Sequence, residues 1–281
     1  MSSPQPFALI GAPVAHSVSP AMYAAAFAHL GLPATYFAAH VERRDVARVI
    51  DSARLLGLGG FNVTIPHKTA VLPLLDAVGE TAALCGAVNT VVLRGEQSVG
   101  HNGDLVAVRE VVRARNISLQ GASTLVLGAG GAGRAAAFAL ASSGAHVVVA
   151  NRSAAAADRL VSDLHAHGHS ASALGLHGAA HASADARVIV QATSVGLGDA
   201  DASARVVDGL VFKPNRLCIE MVYRPLETAF VRDARASGAD LVDGLELLVR
   251  QGMAALGWWW PEVVPPADLA DVMRKAAEGA L

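Results

Sequence analysis

The feature that most constrains the fold is a glycine-rich turn between a short apolar run and an alanine-rich stretch. Residues 125–127 are Leu-Val-Leu, residues 128–133 are Gly-Ala-Gly-Gly-Ala-Gly, and a helix is predicted over 134–142. After a strand, glycines at this spacing permit a tight bend, close approach of a diphosphate and close packing of the helix. We therefore expect a dinucleotide to bind at Gly128, Ala129, Gly130, Gly131 and Ala132. A purely structural glycine turn is the alternative.

Short apolar runs alternate with helical stretches along the chain. This alternation is typical of an α/β fold with a mostly parallel sheet covered on both faces by helices. Residues 94–97, Arg-Gly-Glu-Gln, separate two extended segments and predict a hairpin with an antiparallel edge. The predicted strands are 7–10, 35–39, 60–63, 88–93, 125–127, 146–150, 188–190, 217–221 and 240–242.

The helix signals divide the chain into two parts. Ser19-Pro20 places a capping hydroxyl before a proline at the first helical position, so a helix is predicted from there toward Gly31. A domain boundary is predicted near 102–105. Further helices are predicted over 44–56, 244–256 and 267–280. No strand follows the last two, so we expect one of them to return and pack on the first domain.

Composition excludes several classes of partner. Lys and Arg number 22 against 24 Asp and Glu, a formal charge of -2, so no overall field attracts nucleic acid. No window reaches the ~18 uninterrupted apolar residues of a membrane-spanning helix, so no membrane partner is expected. Only Cys85 and Cys218 are present, and the start lacks the pattern of a signal peptide, so a cytoplasmic location is predicted.

The end of the strand at 146–150 bears on the choice of dinucleotide. NAD enzymes usually carry Asp or Glu there, whereas this chain has Asn151-Arg152-Ser153. An arginine at this point can form charge-assisted bonds to a 2'-phosphate, so the sequence favours NADP, with NAD still possible. A solvated surface arginine is the alternative interpretation.

Three segments in the first half carry polar residues where strands end or helices begin. Such positions at the rim of an open α/β sheet are where ligand groups gather. Ser17 and Ser19 could present two hydroxyls to a carboxylate, although plain helix capping is the alternative. The segments are 16–20, 61–68 and 86–90.

Lys68 stands out because lysine is rare in this chain. Only three of the 22 basic residues are lysines, and an amine can lose its proton whereas a guanidinium cannot. Asp104 would complete a Lys-Asp pair. A solvated lysine and a helix-capping aspartate are the alternatives.

Two other clusters are interpreted as structural. His165, His167 and His169 alternate, but they lie in a Gly/Ser-rich stretch without a carboxylate or thiol partner, so we expect an exposed loop and no metal site. The tryptophans at 258–260 are expected to anchor packing rather than to stack on a ligand.

Together these segments resemble the shikimate dehydrogenase family over nearly the whole chain. The family's Gly-x-Pro-x-x-His-Ser-x-Ser-Pro run appears at 11–20 and its Asn-Val-Thr-x-Pro-x-Lys segment at 62–68. The remaining family elements appear as Gly86 to Thr90, the Gly-Ala-Gly-Gly turn at 128–131, Asn-Arg-Ser at 151–153, Ala-Thr-Ser at 192–194, Tyr-x-Pro-Leu at 223–226, and Asp243-Gly244-Leu245 with Gln251.

The resemblance implies a role for each matched residue. Ser17, Ser19 and Tyr223 would bind the substrate carboxylate, and Lys68 would transfer the proton with Asp104 paired to it. The ring hydroxyls would be held by Thr64, Asn89, Asp104 and Gln251. Besides the glycine turn, the cofactor would meet Asn151, Arg152, Ser153, Thr193, Met221 and Gly244.

The resemblance also implies an architecture and an activity. A substrate domain of residues 1–103 and 243–281 would accompany a Rossmann NADP-binding domain of residues 104–242. The expected reaction interconverts 3-dehydroshikimate and shikimate by hydride transfer, in a monomer or homodimer. The alternatives are a quinate/shikimate or aminoshikimate dehydrogenase using NAD, and a non-catalytic module that senses shikimate or quinate.

The chain departs from the family pattern at several of these positions. Gly103 and Leu105 flank Asp104 where the family usually has Thr and Gly, which predicts a loop looser on one side and bulkier on the other. Gln191 and Glu220 replace the usual Asn and Asp, and Arg224 replaces Asn. A second arginine is missing after Arg152, since 154–157 are all alanine.

Overall fold

The computed structural model describes residues 3–198 and 201–281. The chain forms two compact units, one of residues up to 103 together with 249–281, and the other of residues 104–248. The long helix α9 (Gly244–Trp259) contributes residues to both. Assigning substrate binding to one unit and cofactor binding to the other stays a prediction.

The first unit contains a mixed sheet in the strand order β2-β1-β3-β5-β6-β4. Its strands are β1 (Gln5–Gly11), β2 (Ala34–His40), β3 (Gly60–Val63), β4 (Ala77–Val78), β5 (Thr90–Arg94) and β6 (Gln97–His101). β1 is parallel to β2 and β3, whereas β5 is antiparallel to β3 and β6. The predicted hairpin is confirmed, because Arg94 pairs with Gln97.

Helices cover this sheet, and its apolar core is aliphatic with an aromatic corner. The helices are α1 (Ser19–His29), α2 (Val46–Leu55), α3 (Glu80–Cys85), the second half of α9, and α10 (Leu269–Glu278). The prediction that a terminal helix returns to this unit is confirmed, since α10 packs on α1. Trp259 is buried beside Phe7 and donates its ring N–H to the Val91 carbonyl at 3.1 Å, so it anchors packing as predicted.

The second unit is a parallel sheet in the order β12-β11-β10-β7-β8-β9. Its strands are β7 (Ser123–Leu127), β8 (His146–Asn151), β9 (Ala171–Gly175), β10 (Val188–Gln191), β11 (Leu217–Glu220) and β12 (Asp240–Val242). Most are buried apolar runs, as a sheet covered on both faces requires. Its helices are α4 (Gly103–Ala114), α5 (Gly131–Ala141), α6 (Ala154–Ala166), α7 (Ala179–Ser183), α8 (Ala229–Ala236) and the start of α9. The predicted α/β class is confirmed.

Some local predictions are wrong. Ser19 does not cap α1, because the capping position is Val18 and Ser19 is the first helical residue. The histidine stretch is not one loop: His165 lies in the last turn of α6 and His167 caps it. Strand β9 begins at Ala171, and its small residues gave no strand signal.

No helix in the described parts of the chain combines the length and apolarity needed to cross a membrane.

Candidate active site

In the first unit the candidate substrate residues share one edge of the sheet. Parallel strands β1 and β3 end at Gly11 and Val63, and the segments with Ser17 and Thr64 follow them. β5 runs the opposite way, so Asn89 just before it lies at the same edge. The directions of these strands therefore place residues from distant parts of the first hundred positions at the same edge of the sheet.

The loop that carries Lys68 is held at several points. The Thr64 N–H donates to the Ile10 carbonyl at 2.9 Å, and the Lys68 carbonyl accepts the Val88 N–H at 2.7 Å. His67 is fully buried, and its Nε2 lies 2.7 Å from the Val41 carbonyl oxygen. Lys68 itself is half-buried. The backbone on both sides of the amine is therefore fixed, which favours a defined position for its side chain.

Ser17 and Ser19 lie together where the chain enters α1. Ser17 Oγ accepts the backbone N–H of Ser19 at 3.2 Å. Ser19 is buried and Ser17 is half-buried. The capping interpretation therefore applies to Ser17 rather than to Ser19, and both hydroxyls lie near a helix N-terminus, which favours an anion.

Asn89 connects the third polar segment to Gln251 and Gly103. Its Oδ1 accepts the Gly103 N–H at 2.7 Å, and its Nδ2 donates to Gln251 Oε1 at 3.4 Å. Gly103 is buried, and a Cβ there would lie 2.9 Å from the Gln251 carbonyl oxygen. The expectation that Gly103 loosens this segment is therefore wrong, because its N–H is hydrogen-bonded to Asn89 and its missing side chain allows Gln251 to approach closely. Leu105 is fully buried.

Asn62 is a supporting residue that sequence reasoning did not single out. It accepts the Tyr36 hydroxyl at 2.8 Å and donates to the Asn89 carbonyl and Thr90 Oγ1, both at 3.1 Å. The sequence does contain a signal for Asn62, because it is the one amide in an otherwise apolar strand. A buried amide must find hydrogen-bond partners.

In the second unit the candidate cofactor residues follow four neighbouring strands. Gly128 follows β7, Asn151 ends β8, Thr193 follows β10 and Met221 follows β11. The chain order of these strands reverses between β7 and β10, and ligands of open α/β sheets bind outside the carboxyl ends at such a point.

The glycine turn has the geometry that a dinucleotide diphosphate requires. Gly128 has φ +109°, and a Cβ there would lie 2.8 Å from the Ala192 carbonyl oxygen. A Cβ on Gly133 would collide with the Gly128 carbonyl, so the third glycine permits close packing. Gly130 is the N-cap of α5, is exposed, and has open space where a Cβ would be. The helix N-terminus can therefore be approached by an anion, and these residues fit the cofactor.

The segment after β8 presents one exposed cation. Arg152 is exposed, and Asn151 Nδ2 donates to the Ser153 carbonyl at 3.0 Å, which shapes the turn into α6. Arg134, at the start of α5, instead lies 2.8 Å from the Asp163 carboxylate. Arg152 is therefore the better placed of the two for a cofactor phosphate.

The two candidate proton-transfer residues belong to different units. Lys68 lies in the first unit. Asp104 is in the first turn of α4 in the second unit and is half-buried.

Among the residues that the structure describes, no group of three or more His, Cys, Asp and Glu side chains is arranged to hold a metal ion.

Sequence comparison identifies the family. A model described as "Shikimate dehydrogenase substrate binding domain" matches residues 9–91, and one described as "Shikimate / quinate 5-dehydrogenase" matches residues 110–197. The shikimate dehydrogenase (NADP(+)) of Halobacterium salinarum is 41% identical over 268 residues, which cover 95% of this chain and 98% of that relative. The chain belongs to the shikimate dehydrogenase family.

Solved structures of this family are similar over their full length. The shikimate 5-dehydrogenase of Thermus thermophilus, in complex with NADP(H) and shikimate, is 39% identical, with a TM-score of 0.85 over 99% of this chain and 100% of that chain. The quinate dehydrogenase of Corynebacterium glutamicum, in complex with NAD, is 30% identical, with a TM-score of 0.87 over 99% of this chain and 100% of that chain. The two relatives are named for different substrates, and their structures contain different cofactors.

This shikimate dehydrogenase family member has a buried polar pair behind its candidate cofactor residues. Gln191 and Glu220 are opposite each other on β10 and β11, and both are almost fully buried. Gln191 Oε1 accepts the backbone N–H of Thr193 at 2.6 Å and its hydroxyl at 2.8 Å. Burial raises the pKa of the Glu220 carboxyl to about 7, although hydrogen bonds from Val222 and Thr228 oppose the shift.

The segment after Glu220 is also held by the last candidate cofactor residue of this family member. A Cβ on Gly244, the first residue of α9, would collide with the Val222 carbonyl and lie 2.7 Å from the Tyr223 nitrogen. Gly244 therefore sets the path of the backbone that carries Tyr223 and Met221.

Proposed function

We propose that this chain is an NADP-dependent shikimate dehydrogenase that interconverts shikimate and 3-dehydroshikimate. Its substrate is a small hydroxy acid, and the reaction is an oxidation of one ring hydroxyl. Family membership and the relatives named for this reaction support the proposal. We also propose a cytoplasmic location, in keeping with the low cysteine count of two, and a monomeric or homodimeric state.

The observation that carries the proposal is the fixed backbone around Lys68 at the polar edge of the first sheet. Its carbonyl is bonded to Val88, one residue before Asn89, and Thr64 lies four residues earlier on the same loop. A proton-transferring amine, an amide and a hydroxyl at one sheet edge suit a polyhydroxylated substrate. Asn89 is fixed in turn by Gly103 and Gln251.

The substrate carboxylate is assigned to Ser17, Ser19 and Tyr223. The two serines lie near the N-terminus of α1, where N–H groups and the helix dipole favour negative charge. Thr64, Asn89, Asp104 and Gln251 are assigned to the ring hydroxyls. Their amides, hydroxyl and carboxylate supply both donors and acceptors.

The cofactor assignment is NADP. Bound NADP+ would accept a hydride from the carbon that carries the reacting hydroxyl. The open N-terminus of α5 at Gly130 would bind the diphosphate, and the exposed Arg152 would bind the 2'-phosphate. Thr193, Met221 and Gly244 would line the remaining part of the cofactor site.

Lys68 is assigned the proton. In the oxidation its neutral amine would accept the proton of the reacting hydroxyl as the hydride leaves, and in the reduction its ammonium would donate that proton to the forming alkoxide. Asp104 is assigned to orient and stabilise the ammonium.

The test is a substrate and cofactor panel. The purified chain is mixed with shikimate or quinate and with NADP+ or NAD+, and reduced cofactor is followed by its absorbance. We expect the highest kcat/KM for shikimate with NADP+. Preference for quinate with NAD+ would replace this proposal with the quinate dehydrogenase alternative, and no turnover of any pair would favour the sensing module.

A further inference from the structure

Glu220 is a buried carboxylate to which the proposed reaction assigns no role. It ends β11, has no solvent-exposed surface, and lies beside Gln191 of β10. Removing a carboxylate from water costs free energy that hydrophobic residues would not cost. A role in stability alone therefore does not account well for this residue.

Its two oxygens hold the segment that follows the strand. Oε1 accepts the backbone N–H of Val222 at 2.8 Å, and Oε2 accepts the hydroxyl of Thr228 at 2.7 Å. Thr228 is buried, and its Oγ1 in turn accepts the N–H of Val231 as the N-cap of α8. Glu220 thus fixes both ends of the short segment between β11 and α8.

Gln191 does the same for the neighbouring strand end. Its Oε1 accepts from Thr193, its Nε2 donates to the Val195 carbonyl at 3.0 Å, and its backbone carbonyl accepts the Met221 N–H at 3.0 Å. Hydrogen bonds from two buried side chains, Gln191 and Glu220, therefore lie behind two strand ends. The candidate cofactor residue Thr193 lies two residues after the first strand, and Met221 directly follows the second.

We propose that Glu220 is a positioning residue of the cofactor site, which holds Met221 and Val222 in place through the Val222 N–H and the Thr228 hydroxyl. The inference rests on the proposed function, since it requires that NADP(H) binds beside Met221. Gly244 contacts the same backbone at Val222 and Tyr223. The segment is therefore held by a carboxylate and by close packing.

An acceptor is required at this position. Alanine at 220 would leave the Val222 N–H and the Thr228 hydroxyl without their acceptor, and the segment would relax toward other partners. Glutamine would keep an oxygen for Val222, and its amide could donate to the Thr228 oxygen. The two variants therefore separate loss of hydrogen bonding from loss of charge.

The experiment measures the Kd of NADPH by fluorescence titration and, separately, the Tm of each variant. We expect Glu220→Ala to raise the Kd by about tenfold, and Glu220→Gln to change it by less than about threefold, because only the first loses both bonds. Thr228→Val is expected to raise the Kd as well. Thr228→Ser is expected to keep the Kd near the native value, since serine keeps the hydroxyl. This pair tests the proposal even if Glu220→Ala does not fold.

Ser183→Ala is the matched control. Ser183 is buried in the same unit, and its Oγ accepts the Val211 N–H at 2.8 Å and donates to the Ala180 carbonyl at 2.6 Å. Its loss also removes buried hydrogen bonds, so we expect a lower Tm with an unchanged Kd.

Two outcomes overturn the inference in distinguishable ways. Native chain that binds NADPH, with Glu220→Ala and Thr228→Val lowering Tm but leaving the Kd unchanged, would make Glu220 a structural residue only and leave the proposed function intact. Native chain that does not bind NADPH would contradict the proposed function, and the inference with it.

Discussion

The backbone N–H of Gly103 donates to Oδ1 of Asn89 at 2.7 Å, so the residue just before Asp104 is tied to a candidate substrate ligand. Gln251 completes the contact, because its carbonyl oxygen would lie 2.9 Å from a Cβ at position 103. The Gly103 backbone N–H therefore holds the Asn89 side chain, and the absence of a side chain at 103 leaves room for Gln251.

Gly103→Ala is expected to displace Gln251 and weaken substrate binding. Overpacking of this kind costs about 1–3 kcal/mol, so the KM for shikimate should rise about tenfold. The Kd of NADPH should stay unchanged. The measurement is steady-state kinetics with shikimate varied at saturating NADP+.

Gly257→Ala provides the control for that variant. Gly257 is an exposed residue of α9 with open space where its Cβ would be, so alanine there should leave the KM unchanged and raise stability by about 0.5–1 kcal/mol. If Gly103→Ala and Gly257→Ala have the same KM, the contact between Gly103 and Gln251 has no role in substrate binding.

Lys68→Ala is expected to lower kcat by a factor of about 10² to 10⁴, the usual size of general acid–base catalysis. Cofactor affinity and Tm should stay near those of the native chain, because the amine acts on the reacting hydroxyl. Lys68→Arg keeps the positive charge but cannot give up a proton, so its kcat should fall by a similar factor. A kcat above about a tenth of the native value in either variant would exclude Lys68 from proton transfer.

Much of the candidate site could be predicted because its signals are local. The glycine turn follows an apolar run, and polar residues follow strands, so Gly128, Asn89 and Lys68 could be found from the sequence. Within the first unit, the common sheet edge of Asn89 and Lys68 then follows from strand direction. The contact of Gly103 with Gln251 could not be predicted. The two residues are far apart in the chain, and their close approach depends on position 103 having no side chain.

Other parts gave weak or misleading signals. β9, Ala-Ser-Ala-Leu-Gly, lacks the β-branched and aromatic residues typical of strands and forms because β8 offers it an edge. Ser19 has the residue type of a cap, but the helix begins one residue earlier than that prediction requires, and Ser17 supplies the oxygen. Glu220 looks like a strand-end surface residue until its burial is seen.

Arg152→Ala is expected to weaken NADPH binding far more than NADH binding, because only NADPH carries the 2'-phosphate that the guanidinium can bind. The exposed position of Arg152 after β8 supports a direct contact. Fluorescence titration with both cofactors measures the effect. Equal losses for the two cofactors would mean that Arg152 contacts only the adenine.

Ionisation of Glu220 should make the free energy of unfolding depend on pH. Burial raises the pKa of its carboxyl from its usual value near 4.5 to about 7 in the folded chain, so the folded state holds this proton more tightly than the unfolded state. Its contribution to the free energy of unfolding is therefore full below about pH 4.5 and is lost as the pH rises through about 7, by up to about 3 kcal/mol.

Glu220→Gln removes this titration. Denaturant unfolding at a series of pH values should therefore show the native chain losing stability relative to the variant from about pH 4.5 to about pH 7. Parallel stability curves for the two proteins would show that Glu220 does not titrate in this range.

Isotope labelling tests whether a hydride moves from shikimate to NADP+. Shikimate that carries deuterium on the carbon bearing the reacting hydroxyl is incubated with the native chain and NADP+, and the products are analysed by mass spectrometry. We expect 3-dehydroshikimate without the label and NADPH that contains it, with both formed at least about a hundredfold more slowly by Lys68→Ala. Absence of 3-dehydroshikimate, or NADPH formed without deuterium, would contradict it.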